Sequence, residues 1–401
     1  MSFLSVSEAL ERVIDGIEPR DAEIVKLGHA AHRVLAQDLT ARLTQPPFDA
    51  SAMDGYAVKA EDIRSCPASL TVIGEAAAGH GFSGVLEKTQ AVRIFTGAPV
   101  PEDADTVVIQ EVTDRRDDIV TIIESADAGA YVRPRGYDFH EGDVLLKSGT
   151  RLNARTLSLA AAMDYADLKV TARPKVAILA TGDELVYPGE SREPHQIVSS
   201  TPYGLAMLIE AAGGVAQLLG IAVDTAESLK EGISRAADAD ILVTIGGASV
   251  GDHDLVQDVL RKEGLSLDFW KIAMRPGKPL MYGRLGQKRC LGLPGNPVSA
   301  LICGRIFLYP LVRKMAGDLQ TDIPETELPL EVDISANGPR EHFMRAELIT
   351  DSRGRQTVAP LPDQDSSLLA TLARADLLVV RPPHGPALSA GTLVPVMTLD
   401  F

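Results

Sequence analysis

The sequence predicts a multidomain α/β protein: a central parallel-sheet α/β domain, an N-terminal β-rich lobe and a small C-terminal β domain. Three observations predict it. Between residues 175 and 245, short apolar runs alternate with helical-period segments at the spacing of βαβ units. From about 34 to 170, short β-type runs are punctuated by glycine and proline. After Gly317 the text is again β-like and rich in proline.

The elements follow in order. Leu4, Ala9, Leu10, Val13 and Ile14 recur at helical spacing, with Ser5 and Ser7 both available as caps. Leu70-Thr71-Val72-Ile73, Ala91-Val92-Arg93-Ile94-Phe95 and Asp105-Thr106-Val107-Val108-Ile109 read as strands of a lobe. That lobe is inserted at about 46–137 into an N-terminal region spanning 1–172. A central domain follows over 173–318, beginning with the apolar strand Lys175-Val176-Ala177-Ile178-Leu179-Ala180. Then come a helix over about 203–212, a strand near 215–223, a helix over 226–237 and a strand over 240–245. Residues 319–401 form the C-terminal β domain. At 401 residues, and about 100–200 residues per domain, the length accommodates these units.

Composition narrows the function. The formal net charge is -16 and aromatics make up 4%. Such a surface repels nucleic acid and anionic membrane and lacks stacking platforms, so neither partner is expected. Any anionic ligand must be held by a local cationic pocket. Cys66, Cys290 and Cys303 form no CxxC pair, which argues against a zinc ribbon or disulfide scaffold. The apolar stretch 203–223 is broken by Glu210 and Gly213-Gly214, and the start lacks a basic and apolar leader. A cytoplasmic protein is expected.

In open α/β sheets, ligands bind at loops beyond the carboxyl ends of the strands. Three such loops have distinctive text. Thr181-Gly182-Asp183-Glu184-Leu185 is the first, and Gly246-Gly247-Ala248-Ser249-Val250-Gly251-Asp252-His253-Asp254 the second. Glycines there let backbone N–H groups approach an anion. In the third, Leu293-Pro294-Gly295-Asn296-Pro297-Val298-Ser299, Asn296 is placed to cap a helix that starts at Pro297. The cationic pocket follows from residues 271–289, which hold six basic residues and no acidic one. At their centre, Met274-Arg275-Pro276-Gly277-Lys278-Pro279 fixes Arg275 and Lys278 in one turn, as an oxyanion clamp would require. Opposing them are Asp54, Asp138, Glu184, Asp224 and Asp254, all in turns, where carboxylates beside phosphate suggest magnesium. For any one of them, a backbone-bonding role in its turn is the plainer reading.

These motifs together resemble the molybdopterin molybdenumtransferases of the bacterial type, which are related to the C-terminal domain of gephyrin. The matching text includes Pro46-Pro47-Phe48-Asp49, Ser51-Ala52-Met53-Asp54-Gly55-Tyr56-Ala57-Val58 and Thr96-Gly97-Ala98-Pro99-Val100-Pro101. It continues through Arg133-x-x-Gly136-x-Asp138, the three loops above and Pro276-Gly277-Lys278-Pro279, in family order across nearly the whole chain. The resemblance implies a central domain of the molybdopterin-binding type. It also implies a homodimer whose site combines that domain of one subunit with the β lobe of the other. The implied reaction is molybdate-dependent cleavage of adenylylated molybdopterin with release of AMP. A molybdopterin adenylyltransferase is a candidate companion.

Carried over by motif, Asp54, Thr96, Arg133, Asp138, Glu184, Asp224 and Asp254 resemble the family's functional polar set. Asp54, Glu184, Asp224 and Asp254 are the candidate Mg²⁺ ligands among them. Gly246, Gly247, Ser249, Gly251, Pro294 and Pro297 resemble substrate-binding positions. Arg275, Lys278, Ser299, Arg345 and Ser366 resemble positions that handle molybdate, the last two through His342-Phe343-Met344-Arg345 and Gln364-Asp365-Ser366. Two residues depart from the pattern: Thr201 stands where asparagine is usual, and Arg275 where lysine is common. Two competing readings are a molybdopterin adenylyltransferase and a non-catalytic scaffold. The additional β domains argue against the first, and the retained acidic and basic loops against the second.

Overall fold

The computed structural model describes residues 3–247, 255–319 and 325–399. Its centre is a six-stranded sheet in the order Val215–Ala222, Lys175–Thr181, Ile241–Ile245, Lys288–Leu293, Met281–Leu285, Leu265–Trp270. The first four strands run parallel. The last two are antiparallel, so the sheet is mixed at one edge. The reason is local: Gly286-Gln287, with Gly286 at φ +62°, closes a two-residue hairpin, too short for a parallel crossover.

Helices cover both faces because the strands alternate their side chains between two cores. Val176 and Ile178 face Leu205, Leu208 and Ile209 of the helix Thr201–Ala211. Ala177 and Leu179 face Leu229 and Ile233 of the helix Ala226–Ser234, and Val256, Val259 and Leu260 of Leu255–Lys262. The sequence placed the first of these helices two residues late, since Pro202 in its first turn fits where no N–H is needed.

The first helix, Val6–Ile14, is capped by Ser5, not Ser7. Ser5 and Glu8 form a reciprocal capping box. Its buried Val6, Ala9 and Val13 join the central core. After it the chain builds a separate base, where Ala22–Lys26 pairs antiparallel with Asp167–Thr171. Between these strands lies the lobe's six-stranded sheet, in the order Thr106–Ile109, Gly55–Val58, Gln90–Ile94, Ala68–Ala76, Ile119–Ile122, Thr113–Arg116. The C-terminal sheet is built on Glu341–Thr350, Leu377–Arg381, Leu393–Thr398 and Glu325–Pro329. Met274–Arg275 adds to its edge, in parallel with Glu341–Thr350. The basic turn is thereby stitched to both the central and the C-terminal units. Among the described residues, no helix is long and apolar enough to cross a membrane.

Candidate functional site

Four neighbouring parallel strands end level with one another. Thr181 pairs with Ala222, Ala180 with Ile245, and Ile245 with Leu293. The loops that follow therefore open at the same height, and they line a cavity of about 720 Å³. Its walls include Thr181, Gly182 and Glu184 from the first loop, Asp224 from the second, Gly246 and Gly247 from the third, and Pro294 to Pro297 from the fourth. Ser199, Ser200, Thr201 and Pro202 contribute the start of a helix, and Pro279 and Ser367 close the remaining side.

Gly246 shows why the third loop needs glycine. Its φ is +92°, and a Cβ there would lie 2.7 Å from the Thr181 carbonyl oxygen. The rest of that loop, including Ser249, Gly251 and Asp254, lies outside the described residues.

One wall of the cavity is acidic. The Asp224 backbone N–H donates to Asp183 Oδ1 at 2.9 Å, which draws the two loops together. Burial, followed by the charges of Asp183 and Glu184, pushes the Asp224 carboxyl above its usual range. Like charges thus crowd at this wall. Asp183 is the residue that motif reading missed: the sequence shows adjacent acids but not which one braces the neighbouring loop.

The wall at Pro294–Pro297 corrects one expectation. Asn296 occupies the cap position of Pro297–Cys303, but its side chain makes no capping bond. Its Nδ2 donates to Ser366 Oγ at 2.9 Å, while Val298 N–H donates to the Ser366 carbonyl at 3.2 Å. Pro297 has no N–H to satisfy, and the Ser366 carbonyl serves the next one, so the amide is free to bridge outward. Ser299 is buried in the first turn of that helix.

Arg275 and Lys278 are joined to the cavity through Pro279 and do not themselves line it. Gly277 has φ +110°, and a Cβ on it would meet Cys303 Sγ at 2.4 Å, so the turn between the two cations accepts only glycine. Arg275 is exposed, and Lys278 is half-buried with Nζ 4.9 Å from the Phe3 ring centroid. Arg345 is 1% exposed and donates to the Leu368 and Asp363 carbonyls at 3.3 and 3.2 Å.

Asp54, Thr96, Arg133 and Asp138 assemble elsewhere, on the lobe, and none of them lines the cavity. Thr96 donates through its N–H and its hydroxyl to Asp54 Oδ1. Arg133 pairs in register with Ala50, the Ala52 N–H donates to the Tyr131 carbonyl, and the Asp138 N–H to the Gln45 carbonyl. Backbone pairing thus ties Arg133 and Asp138 to the 45–52 segment that leads into Asp54. No cluster of three or more metal-ligating side chains is present among the described residues.

Comparison with known proteins agrees in its extent. Residues 4–163 match the MoeA N-terminal region (domain I and II), residues 177–314 the probable molybdopterin binding domain, and residues 327–399 the MoeA C-terminal region (domain IV). A molybdopterin molybdenumtransferase from a Nostoc strain is 37% identical over 391 residues, covering 95% of this chain and 90% of its own. The chain belongs to the molybdopterin molybdenumtransferase family. It is therefore a transferase of molybdenum cofactor biosynthesis. The Haemophilus influenzae member is 34% identical, with 98% of both chains covered. Two crystal structures of the molybdopterin biosynthesis MoeA protein from Pyrococcus horikoshii superpose with TM-scores of 0.82 and 0.85. They are 31% and 26% identical and cover 99–100% of each chain. The α/β architecture that the sequence predicted is the family's.

Proposed function

We propose that this chain inserts molybdenum from molybdate into adenylylated molybdopterin and releases AMP, acting as a cytoplasmic homodimer. The observation that carries the reading is the cavity, where four level strand ends deliver carboxylates on one wall and a glycine-bearing loop on another. Its volume suits a ligand of pterin–nucleotide size. The Gly247 backbone N–H and the start of Thr201–Ala211 would receive anionic groups that the protein's net charge otherwise repels, while the Gly246 N–H is taken by the Leu293 carbonyl at 3.1 Å.

Magnesium fits the acidic wall. Glu184 and Asp224 crowd negative charge there, and Mg²⁺ is typically held by one or two carboxylates completed by substrate phosphates and water. By resemblance, Asp254 of the same chain and Asp54 from a second copy would complete the set. The bound ion would offset the charge of the phosphoanhydride. The remaining work belongs to the chain. Arg275 and Lys278 attract molybdate, Ser299, Arg345 and Ser366 shape its subsite, and the strand-end loops orient the pterin. No covalent enzyme intermediate is required.

The lobe supports the two-copy reading. Asp54, Thr96, Arg133 and Asp138 lie off the cavity, on a lobe whose neighbouring segments expose the apolar side chains Phe48, Met53, Tyr131 and Tyr137. Such a surface suits association with another subunit.

The test is AMP release from adenylylated molybdopterin, titrated with molybdate in the presence of Mg²⁺. Molybdate-dependent release establishes the reading. ATP consumption with molybdopterin would identify an adenylyltransferase instead, and binding without turnover would leave a scaffold.

A further inference from the structure

We propose that Gln364 is a positioning residue for the oxyanion subsite: it sets the place of Ser366 and Ser367 without touching the ligand. The proposal deepens the function above and rests on it. Residues 361–368 form a strap between the C-terminal sheet and the cavity. At its tip, Ser366 accepts from Asn296 and Val298 at the start of Pro297–Cys303, and Ser367 lines the cavity.

The Leu361 N–H starts the strap by donating to the Arg345 carbonyl at 2.8 Å, and the Gln364 amide fixes it further. Gln364 Oε1 accepts from the Arg345 backbone N–H at 3.0 Å and from Arg345 Nε at 3.4 Å. Gln364 Nε2 donates to the Arg345 carbonyl at 3.0 Å and to the Leu361 carbonyl at 2.7 Å. A primary amide has two lone pairs and two N–H bonds, and all four are spent here. None remains for a ligand, so any effect of Gln364 on binding must travel through the groups it holds, the strap and Arg345.

The other end of that network is rigid. Arg345 lies in Glu341–Thr350, opposite Leu378 of Leu377–Arg381, and its guanidinium also holds the Asp363 and Leu368 carbonyls on either side of the strap's tip. Asp365 Oδ1 accepts from Ser367 N–H at 2.8 Å and from its hydroxyl at 2.6 Å, so the tip is folded on itself. The sheet therefore dictates where the two serines stand, and Gln364 is the joint.

The experiment uses the full chain with Gln364→Met, which keeps length and removes all four bonds, and Gln364→Glu, which keeps both acceptor bonds. Molybdate binding is measured by equilibrium dialysis, molybdopterin binding without molybdate by calorimetry, and AMP release by molybdate titration. Gln364→Met should weaken molybdate binding roughly tenfold while molybdopterin binding stays within about twofold, and Gln364→Glu should fall between it and wild type. Added to Ser366→Ala, Gln364→Met should cost little more, because one residue acts through the other. A purely structural role would lower both affinities together, or add fully to Ser366→Ala, and either result overturns the proposal. Should Gln364→Met fail to fold, the Glu variant carries the same split. If AMP release proves independent of molybdate while the dialysis difference holds, the function fails and the positioning role stands. If release depends on molybdate and neither variant shifts it, the positioning role fails alone.

Discussion

Asp54 Oδ1 accepts two bonds from a single residue: the Thr96 N–H and the Thr96 hydroxyl both reach it at 2.8 Å. Together they hold the Asp54 carboxyl below the usual carboxylate range and leave Oδ2 unused by that pair. A fixed, ionised carboxylate on the lobe matches the acidic wall at Glu184 and Asp224, from which one chain keeps it apart. Asp54→Ala and Asp224→Ala should each cut AMP release by roughly 100-fold or more while the protein still folds. Mixing the two inactive proteins, with subunit exchange, should restore about a quarter of wild-type activity, since half the dimers are hybrids and each has one intact site of two. No recovery in the mixture would place both aspartates in a site built from one chain.

Lys278→Ala should raise the molybdate concentration needed for half-maximal AMP release roughly tenfold, the worth of one charge-assisted bond. Lys278→Arg should lie between, because charge is kept while shape changes. Phe3→Ala removes the ring beneath Nζ and should alter the molybdate requirement by a few-fold at most, as suits an exposed cation–π contact of about 0.5–1 kcal/mol. The readout is a molybdate titration at saturating pterin. An unchanged half-saturation in Lys278→Ala would move the clamp to Arg345 and Ser366.

Thr201 is 7% exposed, begins its helix and lines the cavity. Its hydroxyl offers fewer bonds than the asparagine usual in the family. Thr201→Asn should tighten molybdopterin binding by about 0.5–1.5 kcal/mol, the net worth of one hydrogen bond. Calorimetric titration decides it, and equal or weaker binding would show that this chain makes no such contact.

His342 gives a dependence on pH. Burial, followed by the charges of Arg275, Arg340, Arg345 and Arg381, pushes it down to about 4, and its Nε2 has no hydrogen-bond partner among the described residues. The folded state then binds the proton more weakly than the unfolded state, whose value is near the ordinary 6.5. Stability from neutral His342 is complete above about 6.5 and is lost as pH falls toward 4. The drop in Tm between pH 7 and pH 5 should therefore be smaller in His342→Leu than in wild type. Equal pH slopes in the two proteins would assign the acid sensitivity to other groups.

The central domain was legible because strand-end loops carry their own signature: glycine where backbone approaches backbone, proline where a helix starts. Gly246, Gly247, Pro294 and Pro297 were found in this way, and the structure puts all four on the cavity. Contacts between distant segments left no such mark. Asn296 is adjacent to proline in the sequence, which reads as a cap, yet its partner Ser366 is 70 residues away. The buried surroundings of Arg345 were equally hidden, since an arginine in an alternating strand gives no sign that carbonyls will surround it. The separation of the Asp54 group from the Asp224 wall was anticipated only through resemblance, because spacing along a chain does not encode which lobe faces which.

The level ends of the four parallel strands have a consequence for redesign. The height of the cavity rim is set by main-chain pairing, at Thr181–Ala222, Ala180–Ile245 and Ile245–Leu293, and not by the loops that rise from it. Those loops are accordingly interchangeable parts. A chimera that takes its Gly182–Glu184 or Pro294–Pro297 segment from a distant relative should keep the rim intact, whereas one residue inserted within Ile241–Ile245 should exchange the side chains that face the two buried cores and tilt the rim at its middle.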